Sequence, residues 1–251
     1  DRFIRGYTEA GDRIGAAKDP EANLWLNPQS WSVISGLAAA DQADTALTNV
    51  YQQLNTEYGA LLMNPPYHAN AFDGALAVIY NQGTKENAGI FCHNNPWVSI
   101  AETVIGRGDR AFEIYRKTCP AYVEEISEIH KTEPYVYSQM VAGADAQIPG
   151  EAKNSWLTGT AAWTFVNVSQ HILGVYPTHQ GLAINPCVPK GFGDFELTRK
   201  FREGTYNIKV VNPDNVEKGV QSITVDGKTL SGCIVPYEKG KTNYDVVVTM
   251  G

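Results

Sequence analysis

The chain reads as mainly α with a C-terminal β domain, half of a helical barrel followed by a small β-sandwich. Three observations lead there. Apolar residues recur at helical spacing in several segments up to Gly174. Long Gly- and Pro-rich loops separate those segments, as in antiparallel helix pairs whose loops form a cleft at one end. After Pro186 and Pro189 the period changes to the two-residue alternation of strands. The expected boundary divides residues 1–188, the helical part, from residues 189–251, the β-sandwich.

The totals agree with a globular chain. Its 251 residues are 43% apolar, enough to bury a core as one large domain or one and a half. A net charge of -7, from 20 basic and 27 acidic side chains, argues against a nucleic-acid surface, which needs a basic stripe. Cys92, Cys119, Cys187 and Cys233 lie far apart with no zinc-type spacing, so no metal is expected and reduced thiols in the cytoplasm are the default. No apolar run is long enough to span a bilayer, and no membrane partner is expected. The start at Asp1 reads as a processed product, a fragment or a piece of a larger polypeptide.

Residues 1–25 are polar and broken, and read as a loop. Asn27 then caps a helix with Pro28 at its first position and Val33, Ile34 and Leu37 on its apolar side. Asp41 caps a second, with Ala43, Leu47, Val50, Tyr51 and Leu54 at helical spacing. Residues 61–83 form a long loop through Asn64-Pro65-Pro66-Tyr67-His68 and Ala71-Phe72-Asp73-Gly74. Helix is expected from about Glu86 to Ile105, and again from an Asp109 cap through Phe112 and Tyr115 to Cys119. Residues 133–150 are irregular. A long helix should then run from Ser155 to Gly174, with Leu157, Ala161, Phe165, Val168 and Ile172 on its core face. Strands follow at Thr205–Val211 and Ser222–Val225, then a turn at Asp226-Gly227 and a strand at Tyr244–Met250.

Three stretches carry chemistry. Glu151 to Trp163 gathers Ser155, Thr158, Gly159 and Thr160 at a helix start, where hydroxyls and free N–H groups suit an anion. Asn154 or Ser155 also fits as a plain cap on a core helix. Lys85 to Asn95 places a lysine, a carboxylate, amides and His93 together, interleaved with Ile90, Phe91 and Trp97. Glu133 to Met140 offers Tyr135, Tyr137 and Gln139, the aromatic faces and amides that a sugar ring asks for, although either tyrosine also fits a buried strand. The five tryptophans read individually as core.

Four motifs carry a family resemblance. Asn27-Pro28-Gln29-Ser30-Trp31, Lys85-Glu86-Asn87-Ala88-Gly89-Ile90-Phe91, Glu133-Pro134-Tyr135-Val136-Tyr137 and Lys153-Asn154-Ser155-Trp156-Leu157-Thr158-Gly159-Thr160 resemble, in order and interval, the C-terminal part of the inverting disaccharide phosphorylases of glycoside hydrolase family 94. Within that family the resemblance is to cellobiose phosphorylase-like members. The resemblance implies part of an (α/α)6 barrel and a reaction in which phosphate attacks the anomeric carbon of a β-linked disaccharide. Cellobiose would give α-glucose 1-phosphate and glucose, with inorganic phosphate as co-substrate and no cofactor. It implies phosphate binding at His93, Thr158 and Gly159, and sugar binding at Tyr80, Lys85 and Gln139. Tyr80 fits a donor pocket for plain glucose, since chitobiose-type members carry a smaller residue there. A homodimer is implied as well.

The sequence departs from the complete pattern. The family's catalytic aspartate lies upstream in an Asp-Trp-Asn-Asp type motif, and no Asp-Trp occurs here. Asp73, Glu86, Glu133 and Glu151 do not match the acid's position. No catalytic residue is therefore expected in this chain, which alone should be inactive and needs the N-terminal part of the enzyme as its partner. Leu76 stands where a polar sugar contact is expected, leaving open laminaribiose, cellodextrin or chitobiose. A non-catalytic carbohydrate-binding subunit is the alternative of another class.

Overall fold

The computed structural model describes residues 1–68 and 79–251. Asp73, Leu76 and the Ala71–Gly74 part of the expected loop lie outside them. The chain forms two compact units, Asp1–Ile105 with Glu113–Phe165, and Gly106–Phe112 with Val166–Gly251.

In the first unit, α1 (Leu26–Ile34) packs on α2 (Ala40–Gln53) and α3 (Asn94–Val104). The α2 period works as expected: Ala43, Ala46, Leu47 and Val50 are buried, and Leu47 joins Val33 of α1 and Ala101 of α3 in one cluster. Its start differs by two residues, because Gln42 reaches back to accept the Ala39 N–H at 3.1 Å while Asp41 sits inside the first turn. Helix α4 (Gly108–Thr118), whose residues from Glu113 onward belong to this unit, lies close to its expected range, followed by the single-turn α5 (Ser127–His130). A second cluster of Leu26, Val50, Leu54, Ile90, Val98, Ile114 and Val141 packs these helices against a small central sheet.

That sheet organises the unit. Its strands are Ile90–Phe91, Ser138–Val141 and Ala152–Ser155, antiparallel and in that spatial order. Phe91 pairs with Met140, Met140 with Lys153, and Ser138 with Ser155. Helix α6 (Thr160–Val166) begins shortly after the third strand and continues as a π-helix over Asn167–Ile172.

The second unit holds a five-stranded sheet in the order Phe195–Phe201, Gly204–Val211, Asn243–Thr249, Ser222–Val225, Lys228–Leu230. The Gly204–Val211 and Asn243–Thr249 strands run parallel, and the other neighbours antiparallel. Alternation decides which side is buried: Tyr206, Ile208 and Val210, and Tyr244, Val246, Val248 and Met250, are at most 2% exposed. Asp226 and Gly227, with φ of 49° and 75°, make the hairpin turn that joins Ser222–Val225 to Lys228–Leu230.

The mainly α architecture, with its (α/α)6 barrel part and appended sandwich, is not what the chain forms. Six α-helices are present among the described residues, and helix and strand take nearly equal shares, 29% and 27%, with the strands in several separate sheets. The largest single correction is the helix expected from Ser155. Residues 152–155 are a strand, Trp156 takes a left-handed φ of 69°, and helix starts only at Thr160. Leu157 and Phe165, expected in the core, are 68% and 63% exposed, and the buried residues of α6 are Thr160 and Thr164. Likewise Glu86 to Phe91 is a turn and a strand, and helix begins at Asn94. None of the described helices is long and apolar enough to cross a membrane.

Candidate functional site

Asn87 fixes the turn that precedes the central sheet. It is 1% exposed, and its Oδ1 accepts the Tyr67 N–H at 2.8 Å while Nδ2 donates to the carbonyls of Tyr67 and Tyr80, each at 3.0 Å. Tyr80 is thereby tied to the turn. Gly89 is required within it, because a Cβ there would lie 2.6 Å from both the backbone N and O of Lys85. Lys85 itself has φ 48°, and its backbone N–H donates to Met140 Sδ at 3.2 Å.

From this turn the Lys85 ammonium donates to Gln139 Oε1 on the middle strand and to Asn154 Oδ1, 3.0 Å away, on the third. Lys85 and Gln139 are thus in direct contact. Asn154, which the sequence suggested only as a cap, completes the group.

His93 lies beside Gln139, two residues past Phe91 and immediately before α3, next to Cys92, whose N–H donates to the Gln139 carbonyl at 3.0 Å. Its ring is held edge-on between Phe91 and Trp97, with centroids 5.5 and 5.4 Å away. Burial holds its imidazole below the ordinary histidine value. A neutral ring at neutral pH follows, with one N–H to donate. Neither ring nitrogen has a hydrogen-bond partner among the described residues.

Thr158 and Gly159 lie between the third strand and α6. Thr158 Oγ1 is 2.6 Å from Thr160 Oγ1 and accepts the Thr160 N–H at 3.1 Å; Thr160 Oγ1 in turn donates to the Ser138 carbonyl at 3.4 Å. The hydroxyl pair is anchored to the strand that carries Gln139. The aromatic contacts lead back to His93: Trp97 meets Trp163 at 5.5 Å, and the Trp163 N–H donates to the Gly159 carbonyl at 3.1 Å. The central sheet and these tryptophans therefore bring Tyr80, Lys85, His93, Gln139, Thr158 and Gly159 onto neighbouring segments.

The tryptophans divide. Trp156 is 72% exposed and its Nε1 donates to Glu133 Oε1 at 3.2 Å, so it is not core. Trp31, 39% exposed, packs edge-on against Trp97 and Trp163. Tyr135 is 81% exposed at φ 64°, whereas Tyr137 is half-buried and burial pushes its phenol up. Sequence reasoning missed Asn87, Asn154 and the role of Trp97 and Trp163, since amide and indole partners are set by pairing that no local spacing shows.

Two of the carboxylates nearby are poorly suited to donating a proton. Hydrogen bonds from its own backbone N–H, Ser155 and Trp156 hold the Glu133 carboxyl below the usual range. Lys153 does the same for Glu151. A general acid needs the opposite shift. No group of three or more His, Cys, Asp or Glu among the described residues could hold a metal ion.

The structure thus holds an amide-and-ammonium cluster of Lys85, Gln139 and Asn154, and a Thr158–Thr160 hydroxyl pair linked to His93 through Trp163 and Trp97. Residues 1–174 match the model of the glycosyl hydrolase 94 superfamily, catalytic domain, and the chain belongs to this family. It is 42% identical over 246 residues to the N,N'-diacetylchitobiose phosphorylase of Vibrio proteolyticus, a match covering 98% of this chain and 31% of that one. Two proteins of Paenibacillus borealis follow. Solabiose phosphorylase is 33% identical, covering 100% of this chain and 33% of the relative. The 3-O-beta-D-glucopyranosyl-beta-D-glucuronide phosphorylase is 30% identical, covering 99% and 32%. The chain spans about a third of the length of these curated relatives.

Proposed function

We propose that the chain is the C-terminal part of an inverting phosphorylase of β-linked disaccharides. Its role is to supply the phosphate-holding and donor-sugar contacts, while the general acid comes from the remainder of the parent enzyme. The convergence of Lys85 and Gln139 at one end of the central sheet, with His93, Thr158 and Gly159 on the adjoining segments, carries this reading.

In the reaction a phosphate oxygen attacks the anomeric carbon, the glycosidic C–O bond breaks, and the leaving oxygen takes the proton of a carboxylic acid. Phosphate stands where an inverting hydrolase activates water, so a single carboxylic acid suffices. The neutral His93 ring, the Thr158 hydroxyl and the Gly159 N–H donate to phosphate oxygens and orient the dianion for attack. Lys85 and Gln139 hold hydroxyls of the donor sugar.

For the donor we favour plain glucose, with cellobiose as the first substrate to test, because the family resemblance puts Tyr80 where chitobiose-type members carry a smaller residue. A second reading, a 2-acetamido donor, is favoured by the relatives at 42% and 41% identity, both named for N,N'-diacetylchitobiose. Phosphorolysis by the parent enzyme decides between them. Sugar 1-phosphate released from cellobiose, and not from diacetylchitobiose, supports the first reading; the reverse supports the second. Phosphate-dependent turnover by the 251-residue chain alone would overturn the placing of the acid elsewhere.

A further inference from the structure

The structure assigns Asn154 as a positioning residue that, with Gln139, fixes the Lys85 ammonium for the donor sugar's hydroxyls. The assignment rests on the phosphorylase reading above and adds a residue to its donor side.

The register makes the case. Ser138 pairs with Ser155 and Met140 with Lys153 in an antiparallel ladder, so Gln139 stands opposite Asn154. Ser138 and Met140 are 3% and 1% exposed, so alternation turns Gln139 to the other side of the sheet, with Asn154 as its cross-strand neighbour. Lys85 reaches from the preceding turn and donates to both amide oxygens. Two of the three ammonium hydrogens are used in this way and one is left over. Each amide oxygen is committed to lysine, which leaves its NH2 group as a donor. The three side chains together offer N–H donors, which suits the lone pairs of sugar hydroxyls.

The backbone is bent to achieve this. Lys85 and Asn154 have φ of 48° and 56°, a left-handed conformation that asparagine tolerates and lysine rarely adopts. Such residues persist where their surroundings over-determine them, and they gather at sites. A merely structural role would be to supply that φ at position 154. Glycine would supply it equally well.

The test therefore uses Asn154→Gly, which keeps the backbone and removes the amide, and Asn154→Asp, which restores an acceptor for lysine. Both are made in the parent enzyme, alone and in a Lys85→Met background, and assayed for phosphorolysis of cellobiose and, in parallel, diacetylchitobiose. Loss of one hydrogen bond to a charged group should lower kcat/KM for the disaccharide about tenfold in Asn154→Gly. The KM for phosphate should be unchanged, Asn154→Asp should lie closer to wild type, and Asn154→Gly should cost nothing more once Lys85 is methionine. Asn154→Gly matching wild type, or multiplying with Lys85→Met, overturns the assignment. Lys85→Met retaining full activity on both disaccharides would overturn the donor-site reading of Lys85 as well.

Discussion

Replacing Thr158 with valine keeps the shape of the side chain and removes its hydroxyl. Free of ligand, that hydroxyl is engaged with Thr160 Oγ1 at 2.6 Å and the Thr160 N–H at 3.1 Å. Thr160 is fully buried but keeps its bond to the Ser138 carbonyl, so the structural loss is about one neutral hydrogen bond, roughly 1 kcal/mol. With phosphate bound, the hydroxyl turns to the dianion. A hydrogen bond to a charged group contributes about 1.5–3 kcal/mol, which is roughly 10- to 150-fold in phosphate affinity. The assay is steady-state phosphorolysis by the parent enzyme with each substrate varied in turn. The KM for phosphate should rise within that range, the KM for the disaccharide should change less than about threefold on the same scale, and Thr158→Ser should recover most of the loss. Equal effects on both substrates, or an effect on the disaccharide alone, would refute the placing of Thr158 at the phosphate.

Other consequences follow from burial. Asn87→Ala leaves buried groups of Tyr67 and the Tyr80 carbonyl without their partner; a loss of about 3 kcal/mol or more is expected by urea unfolding, and less than about 1 kcal/mol would contradict the pinning role. Burial, the leading cause in each case, lowers His93, His130 and His171, so the unfolded chain binds protons more readily than the folded one. Their contribution to stability is then complete above the unfolded histidine value of about 6.5 and is lost as pH falls from there through the lowered folded values. Urea midpoints should drop between about pH 7.5 and 5.5, and His93→Gln should flatten the slope; an unchanged slope speaks against a buried neutral ring. In the second unit, Tyr206 and Tyr244 stack with centroids 4.2 Å apart and planes 5° from parallel, both fully buried. Tyr206→Ala should cost about 3–5 kcal/mol in the same unfolding assay, and a near-neutral result would contradict the packing.

What was legible in the sequence depended on the length over which a period could repeat. The Gly204–Val211 and Asn243–Thr249 strands each carry several turns of alternation, and the burial of Tyr206, Ile208, Val210, Tyr244, Val246 and Val248 follows it. Helix α2 is equally plain, since 14 residues hold its apolar stripe. The central sheet is not, because strands of two to four residues contain no period. The apolar pattern after Ser155 misled for a different reason: its apolar side, Leu157 and Phe165, faces outward, while Thr160 and Thr164 turn in. The site was legible as separate polar clusters. That Gln139 stands opposite Asn154, and that Lys85 touches both, follows only from strand register, which no spacing in the chain reveals.

On the function proposed above, this chain holds phosphate and a donor sugar for an inverting phosphorolysis. Proton NMR of the parent enzyme turning over a β-linked disaccharide tests it most directly. The expected result is the anomeric signal of an α-sugar 1-phosphate that appears only with phosphate present and is strongly reduced in His93→Ala. A β-sugar 1-phosphate, or release of both free sugars without phosphate, would contradict it.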